Sequence, residues 1–424
     1  MNPFGRHRPS VAFSAEATKE TDVRILNSSL RIFLGLIVLA MSSIAGAQLI
    51  EISNVEDLYS AVNNPANAGA TLVLAPGTYM LSPTDPHGTS RPKGGRIELQ
   101  PDMSLLGLEG DRDAVVISAL HLPASSFPLK VNGVATGPNA AIRMGLGHNA
   151  IEWLTVRDAV NGQANIDTGL QPLDPGDTSI VVAHVASTGG ARGLNIINWG
   201  PKSSGQTIDA DIIDDYFFEN VLGIGGEGVR MGNLSATGST INVRMSGNLS
   251  WGQATGRLFY NNGATNSTVN VVSTGNRFYD NGAGTIIFGG ITQGTGRADG
   301  NTVIFEAHGD DFLGNTGASQ FDRGGLLVIG MENASPVGGG GSNNTVSIQL
   351  WGCRMLDNSI SDLTAIGARS TSVPGIDPSL SQNNRVTVEI NGDGNGKGKW
   401  QPVEFFADSL PAPPEYGNSV TLID

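Results

Sequence analysis

The sequence has a single cysteine, Cys353, in a chain of 424 residues. One cysteine excludes a disulfide within the chain, so the fold must be stable through its own packing and hydrogen bonds. Cys353 takes a turn position at which equivalent segments carry Asn276 and Asp310. A thiol in such a series of turn residues predicts a structural role rather than a nucleophile.

Basic residues are scarce as well. The chain has 25 Lys and Arg against 39 Asp and Glu, and residues 1–47 contain five of the basic and three of the acidic ones. Residues 48–424 therefore carry 20 basic and 36 acidic residues, a net charge of −16. Such a surface repels nucleic acid and anionic membranes, so we predict no nucleic-acid partner. It is compatible with neutral sugars, with cations, or with an acidic polymer bridged by Ca²⁺.

Long hydrophobic runs are also missing. The uninterrupted apolar run at residues 32–41 has 10 residues, whereas a transmembrane helix needs about 20. Arg24 and Arg31 precede this run, and Ala-Gly-Ala follows at residues 45–47. This arrangement predicts a secretory signal peptide and leader over residues 1–47, cleaved after Ala47, and a membrane anchor is the alternative. The mature protein is expected to be secreted, periplasmic or at the cell surface, with no membrane span after cleavage.

Glycine, by contrast, is abundant at 58 of 424 residues, about twice the usual ~7 %. A unit of fourteen residues, TVNVVSTGNRFYDN at 268–281, combines a strand-like alternation with a Gly-Asn turn. The same register starts again at Thr207, Thr240, Thr302 and Thr345, and weaker copies start at Arg385 and Ser419. A constant unit separated by insertions of variable length is typical of stacked supersecondary repeats.

The second and fourth positions of the unit are apolar in every copy through Arg385, and the third and fifth are mostly polar. This alternation predicts strands with one buried and one outward face. A second apolar run follows most units, and no segment between them is long enough for a crossover helix. The pattern favours an all-β, right-handed parallel β-helix over the alternative, a β-propeller, whose blades need four antiparallel strands.

The start of the chain adds a more specific cue. Residues 55–62 (VEDLYSAV) predict a short amphipathic helix with Asn54 as N-cap, and LVLAPGTY follows at 72–79. A helix followed by this strand-turn-strand motif resembles the opening of pectin-lyase-like β-helix proteins. The resemblance implies a helix that caps the open end of the core. We predict cap and first coils at 48–140, irregular coils at 141–206 and regular repeats at 207–424.

That superfamily includes lyases, hydrolases, epimerases and non-catalytic surface proteins, so the resemblance concerns the fold. The WIDH-type and RxPxxR motifs of pectate lyases are absent, as are the NTD, GHG and RIK motifs of polygalacturonases. Gly309-Asp310-Asp311 resembles the DD motif of polygalacturonases, but it lies where the other copies of the repeat have their turn. A turn is the favoured reading of these residues, with a catalytic role as the alternative.

The first candidate site consists of Asp209, Asp211 and Arg244. Asp209 and Asp211 are outward neighbours on one predicted strand, and Arg244 occupies the position of Asp211 one coil later. Two carboxylates beside a guanidinium are suited to binding Ca²⁺ and a uronate. They are also suited to β-elimination, in which the arginine acts as base or stabilises the enolate. A solvated surface ion pair is the alternative.

The second candidate site consists of Glu306, His308 and Trp351, with His308 and Trp351 in one column. An exposed aromatic ring beside polar groups suits the apolar face of a sugar. In the alternative, the chain turns inward here and Trp351 is part of the core. The glycine-rich segment 391–396 resembles the start of a Ca²⁺ loop, but Pro402 stands where the bidentate Glu belongs, and a turn is favoured.

Together these features predict a secreted β-helix protein that binds or processes an extracellular polysaccharide. If the protein is an enzyme, lyase-type elimination is favoured over glycoside hydrolysis. If a cation is bound, we expect Ca²⁺, with Asp209 and Asp211 as its ligands. The alternative function is a non-catalytic cell-surface or matrix protein, in which the stacked strands form a rigid spacer or adhesin.

Overall fold

The structure is a computed structural model, and it describes twelve stretches of the chain. They are residues 48–127, 140–168, 178–200, 203–220, 226–292, 296–316, 324–334, 339–359, 361–370, 380–391, 400–407 and 416–423. All of them belong to one compact unit, Gln48–Asp424. The predicted signal peptide and most of the glycine-rich segment 391–396 lie outside the described residues.

The strands, numbered β1 to β31 along the chain, form three parallel sheets. The twelve-stranded sheet contains β1 (Leu49–Ile52), β2 (Thr71–Leu74), β5 (Ser104–Leu106), β8 (His148–Glu152), β11 (Thr178–Ala183), β14 (Thr207–Ile213), β17 (Thr240–Ser246), β20 (Thr268–Thr274), β23 (Thr302–His308), β26 (Thr345–Trp351), β29 (Arg385–Asn391) and β31 (Ser419–Ile423).

The nine-stranded sheet contains β3 (Gly77–Met80), β6 (Val115–Ser118), β9 (Thr155–Arg157), β12 (Ala186–Thr188), β15 (Tyr216–Phe218), β18 (Leu249–Trp251), β21 (Arg277–Tyr279), β24 (Asp311–Leu313) and β27 (Arg354–Leu356). The ten-stranded sheet contains β4 (Ile97–Glu98), β7 (Ala140–Arg143), β10 (Ala164–Asp167), β13 (Arg192–Trp199), β16 (Glu227–Leu234), β19 (Thr255–Asn262), β22 (Ala283–Thr292), β25 (Gly324–Asn333), β28 (Leu363–Ser370) and β30 (Trp400–Ala407).

Successive strands pass from the twelve- to the nine- to the ten-stranded sheet and then back, as β14, β15, β16 and β17 do. Each circuit pairs in parallel with the next, and Thr207, Thr240, Thr268, Thr302 and Thr345 are aligned in register. This is the predicted right-handed parallel β-helix, and the repeat register is confirmed. The β-propeller alternative is wrong, because the strands of successive coils are parallel.

The core lies inside the coils, at the positions that the repeat predicts. The second and fourth residues of six copies are at most 2 % exposed. They are Ile208, Ala210, Ile241, Val243, Val269, Val271, Val303, Phe305, Val346, Ile348, Val386 and Val388. One continuous apolar column therefore runs through the repeats, and its burial is the main source of stability.

The helix α1 (Val55–Asn63) covers the first coil, as the resemblance implies. The side chain of Asn54 accepts hydrogen bonds from the backbone N–H groups of Glu56 and Asp57 at 2.9 and 3.0 Å, the geometry of an N-cap. Leu58 and Val62 of the helix belong to the main core cluster. Short 3₁₀ turns lie at Pro65–Asn67, Pro92–Gly95 and Ala124–Ser126. Among the described residues, no helix has the length and apolarity required to cross a membrane.

Polar ladders hold the corners of the coils together. After the twelve-stranded sheet, the backbone N–H of Asp215 donates to Asn248 at 2.8 Å, that of Asn248 to Asn276 at 2.9 Å, and that of Asn276 to Asp310 at 2.9 Å. Cys353 follows in the same series and is buried. Burial raises the pKa of the Cys353 thiol to about 11. The thiol therefore stays protonated at neutral pH, as a structural residue does.

Candidate functional site

The first predicted site lies on the outer face of the twelve-stranded sheet. Asp211 pairs with Arg244 in register, and the guanidinium binds its carboxylate through Nε at 2.5 Å and Nη2 at 2.8 Å. Asp209 accepts a hydrogen bond from Asn242 at 2.8 Å. The Arg244 side chain is 67 % exposed. The predicted neighbours are therefore together, in a solvated ion pair.

The electrostatics of this pair limit its chemistry. The hydrogen bonds that Arg244 donates to Asp211 and the negative charge of that carboxylate raise the pKa of Arg244, so the guanidinium stays protonated. Of the two predicted roles for Arg244, stabilising an enolate is compatible with this state, and proton abstraction is not. Among the described residues, no three His, Cys, Asp or Glu side chains gather as metal ligands. Ca²⁺ binding by Asp209 and Asp211 would compete with their bonds to Asn242 and Arg244, and it stays a prediction.

The second predicted site shares this outer face. The rings of His308 and Trp351 stack with centroids 6.1 Å apart and planes 9° apart. Trp351 is 42 % exposed, so the alternative that it is part of the core is wrong. Glu306 occupies the column of Arg244 two coils further on, about 9.6 Å away along the stack. A role of Glu306, His308 and Trp351 in substrate binding stays a prediction.

Asp310, the central residue of the Gly309-Asp310-Asp311 motif, has a structural role. Asp310 is 0 % exposed and forms an ion pair of 2.8 Å with Arg257, which is also 0 % exposed. The Arg257 guanidinium lies 4.1 Å from the ring centroid of Phe278 and 4.8 Å from that of Phe305. Asp310 is thus enclosed by its Arg257 partner and by aromatic rings of the core, so its role is structural.

A further group of charged side chains lies on the ten-stranded sheet, and our sequence analysis missed it. Its central column comprises Glu98, Arg143, Asp167, Asn195 and Arg230, which are aligned in register from coil to coil. Each follows an aliphatic core residue on its strand, so the column faces away from the core. Arg96, Arg192, Glu227 and Tyr260 lie beside it, and together we call these residues the arginine–carboxylate cluster.

The cluster is connected by short polar contacts. Glu98 lies 3.5 Å from Arg96 and 3.8 Å from Arg143, each measured between a carboxylate oxygen and a guanidinium nitrogen. Arg192 Nε lies 2.6 Å from a carboxylate oxygen of Glu227. These charges come from coils more than 120 residues apart in sequence, between Arg96 and Glu227. The parallel stack brings them to one place.

At its far end the cluster contains a phenol. Arg230 Nε donates a hydrogen bond of 3.1 Å to the hydroxyl oxygen of Tyr260, and the guanidinium carbon lies 4.7 Å from the ring centroid. Arg192 is also near enough to interact electrostatically with Tyr260. Tyr260 is 2 % exposed. This arrangement places a hydroxyl group between two cationic side chains and the carboxylate of Glu227.

Burial dominates the electrostatics of the cluster. Arg143 and Asp167 are each 2 % exposed, and burial lowers the pKa of Arg143, as it does those of Arg96 and Arg192. Burial also acts to lower the pKa of Arg230, but Tyr260 and Glu227 outweigh it and the pKa is raised. Burial raises the pKa of Tyr260 in spite of the nearby arginines, so its hydroxyl is protonated at neutral pH.

The charge balance of the cluster differs from that of the chain. Four arginines against Glu98, Asp167 and Glu227 give a formal charge of +1, whereas the whole chain carries −14. Buried groups with perturbed pKa values gather at functional sites more often than elsewhere. A planar guanidinium matches a carboxylate in a two-point contact. The cluster can therefore receive an anionic group, and it holds a proton donor beside it.

The solved structures that resemble this chain include an epimerase module and a phage tailspike protein. The A-module of the mannuronan C-5 epimerase AlgE4 of Azotobacter vinelandii aligns with 88 % of this chain and 94 % of its own length, at 13 % identity and a TM-score of 0.40. Tailspike protein 3 of bacteriophage CBA120 aligns with 91 % of this chain and 69 % of its own, at 11 % identity and a TM-score of 0.23. No family model and no curated protein matches the sequence. Likenesses this low say nothing about substrate, and the parallel β-helix is evident from the chain's own three sheets.

Proposed function

We propose that the protein binds a uronate-containing extracellular polysaccharide at the arginine–carboxylate cluster and cleaves it by β-elimination. The observation that carries the proposal is a group of four arginines and three carboxylates in a chain that is otherwise acidic, five of them buried and the other two, Arg230 and Glu98, partly buried. Burying charges costs several kcal/mol per ion, and a fold stabilised by an apolar core does not require it. A polymer with one carboxylate per sugar matches such a positive centre.

The groups needed for elimination are present in the cluster. In this reaction a carboxylate base takes the proton beside the uronate carboxyl, a carbon–carbon double bond forms, and the bond to the leaving oxygen breaks. Arg143 and Arg230 supply the charge that stabilises the enolate. Asp167 is the carboxylate of the central column that can accept the proton. Tyr260, with its raised pKa, protonates the leaving oxygen.

The exposed face of the twelve-stranded sheet offers a second place for the same polymer. Asp209, Asp211 and Arg244 hold the charges there, and the stacked pair of His308 and Trp351 lies further along the same sheet. Exposed ion pairs contribute about 0–1 kcal/mol and act in high dielectric, where they stabilise an enolate weakly. The buried cluster is therefore our proposal for the chemistry, and the exposed face is a proposal for holding neighbouring sugars.

The test is a screen of the purified protein on a panel of uronate polysaccharides, read as the 4,5-unsaturated product. Wild-type protein is expected to form this product from at least one of them. Tyr260→Phe removes only the hydroxyl group, so kcat should fall by about 10²–10⁴-fold while KM changes little. A panel that gives neither product nor binding contradicts the proposal, and an unchanged kcat in Tyr260→Phe removes Tyr260 from it.

The alternative, a non-catalytic surface or matrix protein, is favoured by one observation. The corner ladders continue over many coils, as in Asn301, Asn344, Asn384 and Asn418, whose amides are bonded in series at 2.8–3.0 Å. Such continuity gives a stiff rod. Binding without any unsaturated product in the screen supports this function.

A further inference from the structure

The turn between the twelve- and the nine-stranded sheets changes character along the chain. The first residue after the strand of the twelve-stranded sheet has a positive φ of 60–68° in the later coils, where it is Gly247, Gly275, Gly309 and Gly352. In the three coils before them the same position is Trp153, His184 and Asp214, with φ of 57°, 57° and 51°. Their backbone N–H groups donate to the next coil in the same series.

Positive φ favours glycine, and a bulky residue such as tryptophan is a rare exception. His and Asp adopt positive φ more readily than most residues, so Trp153 is the exception among the three, and its side chain is retained despite its backbone conformation. Strained residues of this kind concentrate at ligand sites.

The side chains at these three turns contact one another. The rings of Trp153 and His184 stack with centroids 3.9 Å apart and planes 13° apart. His184 Nδ1 lies 2.9 Å from Asp214 Oδ2. Arg112 donates to the same oxygen at 2.7 Å, and its guanidinium carbon lies 3.8 Å from the ring centroid of Tyr216. We call these five residues the ridge cluster.

One face of the Trp153 indole is free of a stacking partner from its own series. In the preceding coil the equivalent turn residue is Gly107, whose N–H donates to Glu152 in register. Gly107 has no side chain, and an added Cβ would lie 1.9 Å from the Trp153 carbonyl oxygen. His184 therefore stacks on the indole from the following coil, the preceding coil has no side chain at the equivalent position, and Trp153 is partly exposed.

We propose that the ridge cluster binds a neutral sugar unit, at a site separate from the arginine–carboxylate cluster. A flat, half-open indole suits the apolar face of a pyranose ring. Beside it, His184 Nε2 and the carboxylate of Asp214 supply hydrogen-bonding groups for hydroxyls. The charges of Arg112 and Asp214 cancel within their ion pair, so the ridge offers no net charge to an anionic sugar. The ridge cluster therefore selects neutral hexopyranose units.

Trp153→Gly is the variant that tests this site, because it installs the residue that the later coils use. Affinity electrophoresis in gels containing glucomannan, xyloglucan or dextran measures binding. Wild-type protein is expected to be retarded in at least one gel, and Trp153→Gly to lose affinity by about tenfold or more. Its melting temperature should change little, because relief of the positive φ offsets the lost stacking of the indole on His184.

Two matched variants separate the loss of the indole ring from the effect of placing a glycine at a turn. Glu219→Gly also replaces an exposed residue of positive φ, 52°, at the next turn of the coil, and it should bind as wild type does. Trp153→Phe keeps an aromatic face and should retain most of the affinity. The proposal is overturned if wild-type protein is retarded in none of the three gels. It is also overturned if Trp153→Gly binds as wild type, or if Glu219→Gly loses affinity equally.

Discussion

Adjacent valines on β20 meet opposite environments. Val271 is 1 % exposed in the core, whereas Val272 is 43 % exposed on the outer face, between Arg244 and Glu306 of the neighbouring coils. Val271→Asp buries a carboxylate without a partner and should lower the free energy of unfolding by about 4 kcal/mol or more. Val272→Asp places the same carboxylate in solvent and should change it by less than about 0.5 kcal/mol.

Equilibrium denaturation of the two variants checks this register with one substitution type. Similar denaturation midpoints for Val271→Asp and Val272→Asp would contradict the assignment of inward and outward faces. Unfolding of the Val272 variant alone would mean that β20 is turned over by one residue.

Single residues of the repeat were predictable where their period was clear. Val271 is in the core because alternation over a strand leaves it no other face. The sequence did not show whether Trp351 is exposed or in the core, because it is the last residue of its strand, where the alternation ends and the chain turns. Its exposure depends on the direction of that turn, which the corner ladder sets through residues in other coils.

At the scale of elements, the corner ladder is a source of stability that can be measured. The Asn276 amide accepts from Asn248 at 2.7 Å and donates to Met245 and Ser273. Asn276→Ala leaves buried backbone and side-chain groups without partners and should lower the free energy of unfolding by about 2–4 kcal/mol.

Asn270 of the same coil provides the control. Its amide donates to Asn242 at 2.8 Å on the outer face and is partly exposed. Asn270→Ala should therefore lower the free energy of unfolding by less than about 1 kcal/mol. Thermal or urea unfolding of both variants measures the difference. Equal losses would show that the buried ladder contributes no more than a surface amide.

The strands of the regular repeats could be predicted from sequence, and the arginine–carboxylate cluster could not. The repeats begin at Thr207, Thr240 and Thr268, and strands β14, β17 and β20 begin at the same residues. Much of the cluster comes from earlier coils, where insertions hide the register. A weak signal exists in Ile97-Glu98, Ile142-Arg143 and Ile166-Asp167, each an aliphatic residue followed by a charged one. Their alignment follows only from the parallel stack.

At the scale of the whole molecule, the predicted signal peptide gives a test of compartment. The mature protein should begin at Gln48, because the apolar run before residues 45–47 is too short to remain as a membrane anchor. N-terminal sequencing of secreted or periplasmic material measures the start. Recovery of residues 24–47 on protein held in a membrane fraction would favour the anchor instead.

Because the molecule carries a net negative charge, the position of the proposed catalytic site depends on the local charges around it. An acidic chain of net charge −14 repels a polyanion except where arginines gather. Most of the arginine–carboxylate cluster is buried, with Arg230 and Glu98 partly buried, whereas Arg244 is exposed and Asp211 partly exposed. Electrostatic stabilisation of an enolate is larger in a site that excludes water, so the two places should differ strongly in their effect on turnover.

The most direct test compares turnover of Arg230→Gln and Arg244→Gln on a uronate polysaccharide, read as the unsaturated product, with both variants checked for wild-type melting. The account predicts that Arg230→Gln lowers kcat/KM by about 10²-fold or more, and that Arg244→Gln stays within about threefold of wild type. Full activity of Arg230→Gln, with activity lost in Arg244→Gln, would contradict the account and place the chemistry on the exposed face of the twelve-stranded sheet.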